Sequence, residues 1–219
     1  MASPVAAPPG WMTFEFPCNE RMRSLMRIDS LYKRCRHFAD QPHPTEHQAA
    51  LWSIFELFDL VGGRGDIKSE LLQELERQRS RLNQYAGKPG VSNQALEELL
   101  NQIQRVFTDI STVQPRLGQH IVEHEWLQLL KGRFGIPGGI CEFYVPSLHV
   151  WLHRPAESRQ AILHSWLETL RPIYDGVEIV LRLLREGSGL AKTEPKSRAV
   201  SRCWMSISSM ASSRRPGLM

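Results

Sequence analysis

Apolar residues recur at helical spacing through most of this chain. Met22, Leu25, Met26 and Ile28 line one side of a segment over about residues 19–37, which Asn19 is placed to cap. Leu51, Ile54, Phe55 and Phe58 stand at i, i+3, i+4 and i+7, behind a Thr45/Gln48 capping-box pair, and Gly62-Gly63 ends that helix. A third helix is predicted from Asp66 to about residue 85 on Leu71, Leu72, Leu75 and Leu82, with a break at residues 87–90. Ser92 caps a fourth, striped by Leu96, Leu99, Leu100, Ile103, Val106, Phe107 and Ile110. A fifth spans about 115–134 with Trp126, Leu127 and Leu130. Two more cover about 155–170 and 172–186, where Pro172 suits a helix start. About seven such helices can bury a continuous core. The expected fold class is mainly α, a helical bundle with a few short strands.

Residues 136–153 interrupt that rhythm. Pro137-Gly138-Gly139 predicts a turn, because proline fixes φ and glycine permits φ > 0. Residues 140–145 alternate and carry Phe143, Tyr144 and Val145, which predicts a short strand that Pro146 stops. Leu148, Trp151 and Leu152 follow at helical spacing, with His149 and His153 four apart on an adjacent face. A second short strand is expected over residues 12–16.

The ends differ from the middle. Residues 1–11 contain no Lys or Arg, so they lack the charged start of a secretory signal and read as a disordered leader. Residues 191–219 read as a disordered basic, Ser-rich tail with no sustained period. From Gly187 onward six basic residues face one acid, which leaves residues 1–186 with 21 basic and 22 acidic residues. The net charge of +4 is therefore a property of the tail, and it argues against a nucleic-acid surface on the folded part. No apolar run reaches the roughly 18 residues of a membrane span. Cys18, Cys35, Cys141 and Cys203 form no CxxC pair, which fits a reducing cytoplasm.

Few motifs suggest catalysis. His120, Glu123 and His124 match the H-x-x-E-H pattern of a zinc-dependent hydrolase, which on a helix would put both histidines on one face. No third ligand is placed by the sequence. Arg64-Gly65-Asp66 reads as a turn and a helix cap. There is no P-loop and no nucleophile elbow. The first helix carries a cationic side with Arg21, Arg23 and Arg27. Its ordinary explanation is a solvated face with local pairs such as Glu20 with Arg23.

Four blocks of residues shift that balance. They are Phe14-Glu15-Phe16-Pro17-Cys18-Asn19-Glu20-Arg21-Met22-Arg23 with Met26-Arg27-Ile28-Asp29; Arg64-Gly65-Asp66-Ile67-Lys68-Ser69-Glu70-Leu71-Leu72-Gln73-Glu74-Leu75-Glu76-Arg77-Gln78; Pro115-Arg116-Leu117-Gly118-Gln119; and the corner 136–153. In this order the chain resembles the ZapD family of bacterial division factors, over about residues 12–190. The resemblance implies a non-enzymatic, cytoplasmic homodimer at midcell that needs no cofactor or metal. Such proteins bind the tubulin-like FtsZ and cross-link its filaments, which supports the division ring. It implies a grip on the acidic FtsZ tail by basic residues, here Arg23, Arg27, Arg116 and His149. It implies no nucleic-acid or membrane partner. The family's C-terminal β-domain is expected to have no counterpart in residues 191–219, and a shifted reading frame is the expected explanation. Trypsin is expected to trim this tail quickly at Arg198 and Arg202 and leave a fragment of about residues 12–190, because cleavage concentrates in disordered segments. Protection of both sites, read by mass spectrometry, would contradict a disordered tail.

Overall fold

The computed structural model describes residues 15–63, 67–112 and 123–190. The expected leader, the tail, Cys203, the Arg64-Gly65-Asp66 turn, Arg116 and His120 lie outside the described residues. Among those described there are eight helices: α1 Glu20–Asp40, α2 Pro44–Gly63, α3 Ile67–Asn83, α4 Asn93–Thr112, α5 Glu125–Phe134, α6 Pro146–Leu152, α7 Ala156–Glu168 and α8 Arg171–Leu190. The mainly α fold class agrees with the periodicity.

The starts of these helices show which local signals prevailed. Asn19 caps α1, its side-chain oxygen accepting from the Met22 N–H at 2.8 Å. Ser92 does the same for α4, with the Ala95 N–H donating to its Oγ at 3.4 Å. The expected Thr45/Gln48 capping box does not form. Pro44, with its preset φ, begins α2 two residues earlier than that box would, and the Thr45 N–H donates to Nδ1 of His43 at 3.2 Å instead. The fifth helix is also shorter than expected. Glu123 lies in a turn and His124 is extended (ψ 105°), so α5 starts at Glu125.

The corner corrects a second expectation. Residues 140–145 form successive turns, not a strand. The Cys141 N–H donates to the Gly138 carbonyl at 3.1 Å, and the Tyr144 and Val145 N–H groups donate to the Cys141 carbonyl at 2.8 and 3.0 Å. The alternation of Phe143 and Tyr144 does not mark a buried face, because both rings are exposed. Of the second expected strand, Glu15 and Phe16 are described, and neither is in a strand. The Pro137-Gly138-Gly139 turn is present. Gly138 sits at φ +71°, and a Cβ on Gly139 would lie 2.5 Å from the Arg133 carbonyl oxygen.

Packing follows from the stripes. α1 and α2 lie against each other across the short turn at residues 41–43, α7 packs on both, and α5 rests on α2. α8 packs on α1, α3 and α4. At Gly176 α8 comes close to α3 and α4. A Cβ there would meet Cδ1 of Ile110 at 2.7 Å and Cδ2 of Leu71 at 2.9 Å. Tyr32 and Tyr174 stack at 3.9 Å between α1 and α8. Ile28, Leu51, Ile54, Leu57, Leu75, Ile103 and Leu163 are among the fully enclosed side chains.

Trp151 is 5% exposed and packs on Trp126 and His47. Trp151→Ala is expected to cost about 3–5 kcal/mol, the range for aromatic deletions in cores. Urea denaturation checks this, and a loss below about 1 kcal/mol would place the ring outside the core.

Candidate functional site

The N-terminal half of α1 presents arginines in three different states. Arg21 turns toward the bundle and its Nη1 reaches Oε2 of the buried Glu74 on α3 at 3.4 Å. Glu74 also receives Arg77 at 2.9 Å and the Gln78 amide at 2.7 Å, so its charge is matched inside the fold. Arg23 and Arg27 point outward, and Arg34 continues their line around the helix. Arg34 is tied to α2 through Glu56 and through Ser53 Oγ at 2.9 Å. Arg23 and Arg27 instead face Glu20 on their own helix, at 3.6 and 3.9 Å. The sequence-based Glu20–Arg23 pair is thus present in the structure.

Arg185 on α8 closes the same end of the bundle. Its guanidinium donates twice to Glu15, both bonds at 2.8 Å, and stands 3.7 Å from Asp29. The bond to Glu15 raises its pKa above the ordinary arginine value, against the opposing effect of burial.

His149 sits elsewhere. It lies on α6, where Nδ1 faces the Glu142 carboxylate at 3.0 Å and its ring stands 4.2 Å from that of His153. The His153 Nδ1 is 2.8 Å from the His149 carbonyl oxygen, so the pair is locally satisfied as i, i+4 spacing suggests. α6 is anchored beside the α1–α2 turn, whereas Arg23 and Arg27 are near the other end of α1. From Arg27 to Asp40 the helix rises about 20 Å at about 1.5 Å per residue. The structure therefore joins Arg23 with Arg27 and sets His149 apart from both.

What fixes α6 is a buried network that no local sequence signal announces. Arg159 on α7 is 4% exposed. Its Nε–H donates to Nδ1 of His47 at 2.7 Å, its Nη1 to the carbonyls of Leu152 (2.6 Å) and Arg154, and its Nη2 to the Pro42 carbonyl at 2.7 Å. His47 is fully enclosed, and its Nε2 lies 2.6 Å from the Gln41 carbonyl oxygen. Accepting from one side and donating on the other requires a neutral ring. Burial holds the His47 pKa below its ordinary value, outweighing the Gln41 bond, and the Arg159 cation pushes the same way.

The remaining candidates separate from this geometry. Glu123 and His124 precede α5 and do not share a helix face, so the arrangement a zinc pair needs is not formed on the described part of the H-x-x-E-H segment. Among the described residues no group of three or more His, Cys, Asp or Glu could hold a metal ion. Cys35 is enclosed and burial pushes its thiol up to about 12, which makes it a packing residue. No helix among the described residues is long and apolar enough to cross a membrane.

Among the described residues, a helical body thus carries an exposed arginine pair on α1. Relatives place the chain. A family model described as "ZapD: Cell division protein" matches residues 26–198. "Cell division protein ZapD" of Janthinobacterium sp. (strain Marseille) is 44% identical over 175 residues, covering 80% of this chain and 69% of that protein. The proteins of the same name from Dechloromonas aromatica (strain RCB) and Aromatoleum aromaticum (strain DSM 19018 / LMG 30748 / EbN1) are each 42% identical over 174 residues, covering 80% of this chain and 69% and 68% of those proteins. This is a protein of cell division. The chain belongs to the ZapD family.

The neutral His47 predicts a pH dependence of stability. In the unfolded chain the histidine takes up a proton near pH 6.5, whereas in the folded protein it does so only at lower pH. Its contribution is complete above about pH 6.5 and is lost as pH falls below that value through the folded pKa. Urea unfolding should show a decline toward pH 5 that His47→Gln reduces by at most about 2 kcal/mol, the limit set by about 1.4 kcal/mol per pH unit. An identical decline in both proteins would show that His47 is not the group responsible.

Proposed function

We propose that the protein binds FtsZ and cross-links its filaments, acting as a non-enzymatic homodimer at the division site in the cytoplasm. Family membership gives the division role. The observation that supports a binding mode is the exposed pair Arg23 and Arg27 on one face of α1, whose guanidiniums suit recognition of carboxylates in an acidic tail. Arg27, Arg116 and His149 fall inside the residues that the family model matches, and Arg23 stands one helical turn before them. Two such sites on a dimer would reinforce each other through effective concentration, so individually weak contacts could still hold filaments together. Neither nucleic acid nor membrane has a part in this reading, and among the described residues the hydrolase alternative has no geometry in its favour.

Charge reversal tests the proposal. Arg23→Glu or Arg116→Glu should abolish co-sedimentation with FtsZ filaments while leaving the helical circular-dichroism signal intact. Unmutated protein should bundle less as salt rises, since exposed contacts are screened over about 8 Å at physiological ionic strength. Bundling that survives both reversals would remove these arginines from the interface.

A further inference from the structure

Glu20 stands where a partner's carboxylate would have to stand. Residues 20, 23 and 27 fall at i, i+3 and i+7, on one face of α1. One carboxylate oxygen of Glu20 faces Nε of Arg23 at 3.6 Å, and the other faces Nη1 of Arg27 at 3.9 Å. Both separations exceed hydrogen-bond range, so the donors of these two guanidiniums are not committed to Glu20. The three side chains are 44%, 48% and 58% exposed for Arg23, Arg27 and Glu20, so water and a partner can both reach them. The first turn of a helix is also where a carboxylate is electrostatically favoured, which keeps Glu20 at this place.

We propose that Glu20 is a built-in competitor: Arg23 and Arg27 form one carboxylate subsite, Glu20 occupies it loosely in the free protein, and an acidic partner must displace it to bind. This rests on the proposed recognition of an acidic FtsZ segment and goes beyond it by naming a residue that weakens the contact. A carboxylate from outside can approach to 2.7–2.9 Å and hydrogen-bond both forks, typical of charge-assisted bonds. Glu20 left in place would instead repel it. The displaced pair is exposed, a class in which the loss is small, so the competition tunes affinity and does not block binding.

The test is fluorescence anisotropy with a labelled peptide of the FtsZ C-terminal tail, on the full chain. Glu20→Gln removes the charge and keeps the side-chain length. It should tighten binding roughly two- to fivefold, the range that corresponds to the usual strength of one exposed ion pair. Glu97→Gln, on the exposed face of α4, changes net charge by the same amount and should leave affinity within error. In a background carrying Arg23→Gln and Arg27→Gln, the effect of Glu20→Gln should vanish. Tighter binding by Glu20→Gln alone, lost in that background, supports the competitor. Equal effects of Glu20→Gln and Glu97→Gln overturn it and leave FtsZ recognition by arginine standing. If peptide binding is absent from the unmutated chain and from Glu20→Gln, both proposals fall. If unmutated protein binds but is indifferent to loss of both arginines, the subsite and its competitor fall together while FtsZ binding stands.

Discussion

The architecture around α6 depends on one buried cation. Arg159 is enclosed by the turn between α1 and α2, by the end of α6 and by the start of its own helix. Its acceptors are three carbonyls and a neutral imidazole, so fixed dipoles and hydrogen bonds compensate its desolvation. Each of these carbonyls belongs to a chain turn where a helix has just ended or is about to begin. Such groups have no intrahelical partner and would otherwise need water. Arg159 thus satisfies three carbonyls from two turns at once and fixes the position of α6, with Trp151 on its inner side and His149 on its outer side.

This explains what the sequence could and could not reveal. Helices α1, α2, α3, α4, α7 and α8 were legible because a 3.6-residue period survives in each stripe, from Leu25 and Ile28 to Leu51, Ile54 and Phe58. The Asn19 cap was legible because its chemistry is contained within three residues. The Arg159–His47 bond was not, since its partners lie 112 positions apart and each is an unremarkable polar residue within its own segment. Arg21 illustrates the same limit. It belongs to the same run of arginines as Arg23 and Arg27, yet it turns inward to Glu74, 53 positions away. The expected strand at 140–145 failed for another reason. Alternation describes a half-buried strand only where a neighbouring strand completes the ladder, and here the turns satisfy the backbone locally.

Of the four basic residues that the family resemblance nominated, three are described, and they fall into two places. Arg23 and Arg27 share one face, while His149 is held by the Arg159 network beside the far end of α1. An extended peptide covers about 3.3 Å per residue, so about six residues would be needed to bridge some 20 Å. A single carboxylate cannot engage both places. In the proposed reading, the arginine face and the histidine corner would meet different parts of one acidic segment, or different partner chains.

The ionic contacts of this fold also differ in how available they are. Arg159 makes short hydrogen bonds in a buried setting, Arg185 grips Glu15 with two bonds at 2.8 Å, and Arg21 is held by a buried carboxylate. Removing Arg159 would leave buried carbonyls and the His47 imidazole without their partner, and Arg21 and Arg185 each tie α1 or the chain before it to another helix, so these contacts serve the fold. Arg23 and Arg27 are alike in chemistry and opposite in circumstance, since their counter-charge is exposed and beyond hydrogen-bond range. Exchanging that partner for another costs little, because water already screens the pair. Reversible recognition on a rigid helix needs this combination: guanidiniums positioned by a capped α1, and a counter-ion weak enough to be displaced.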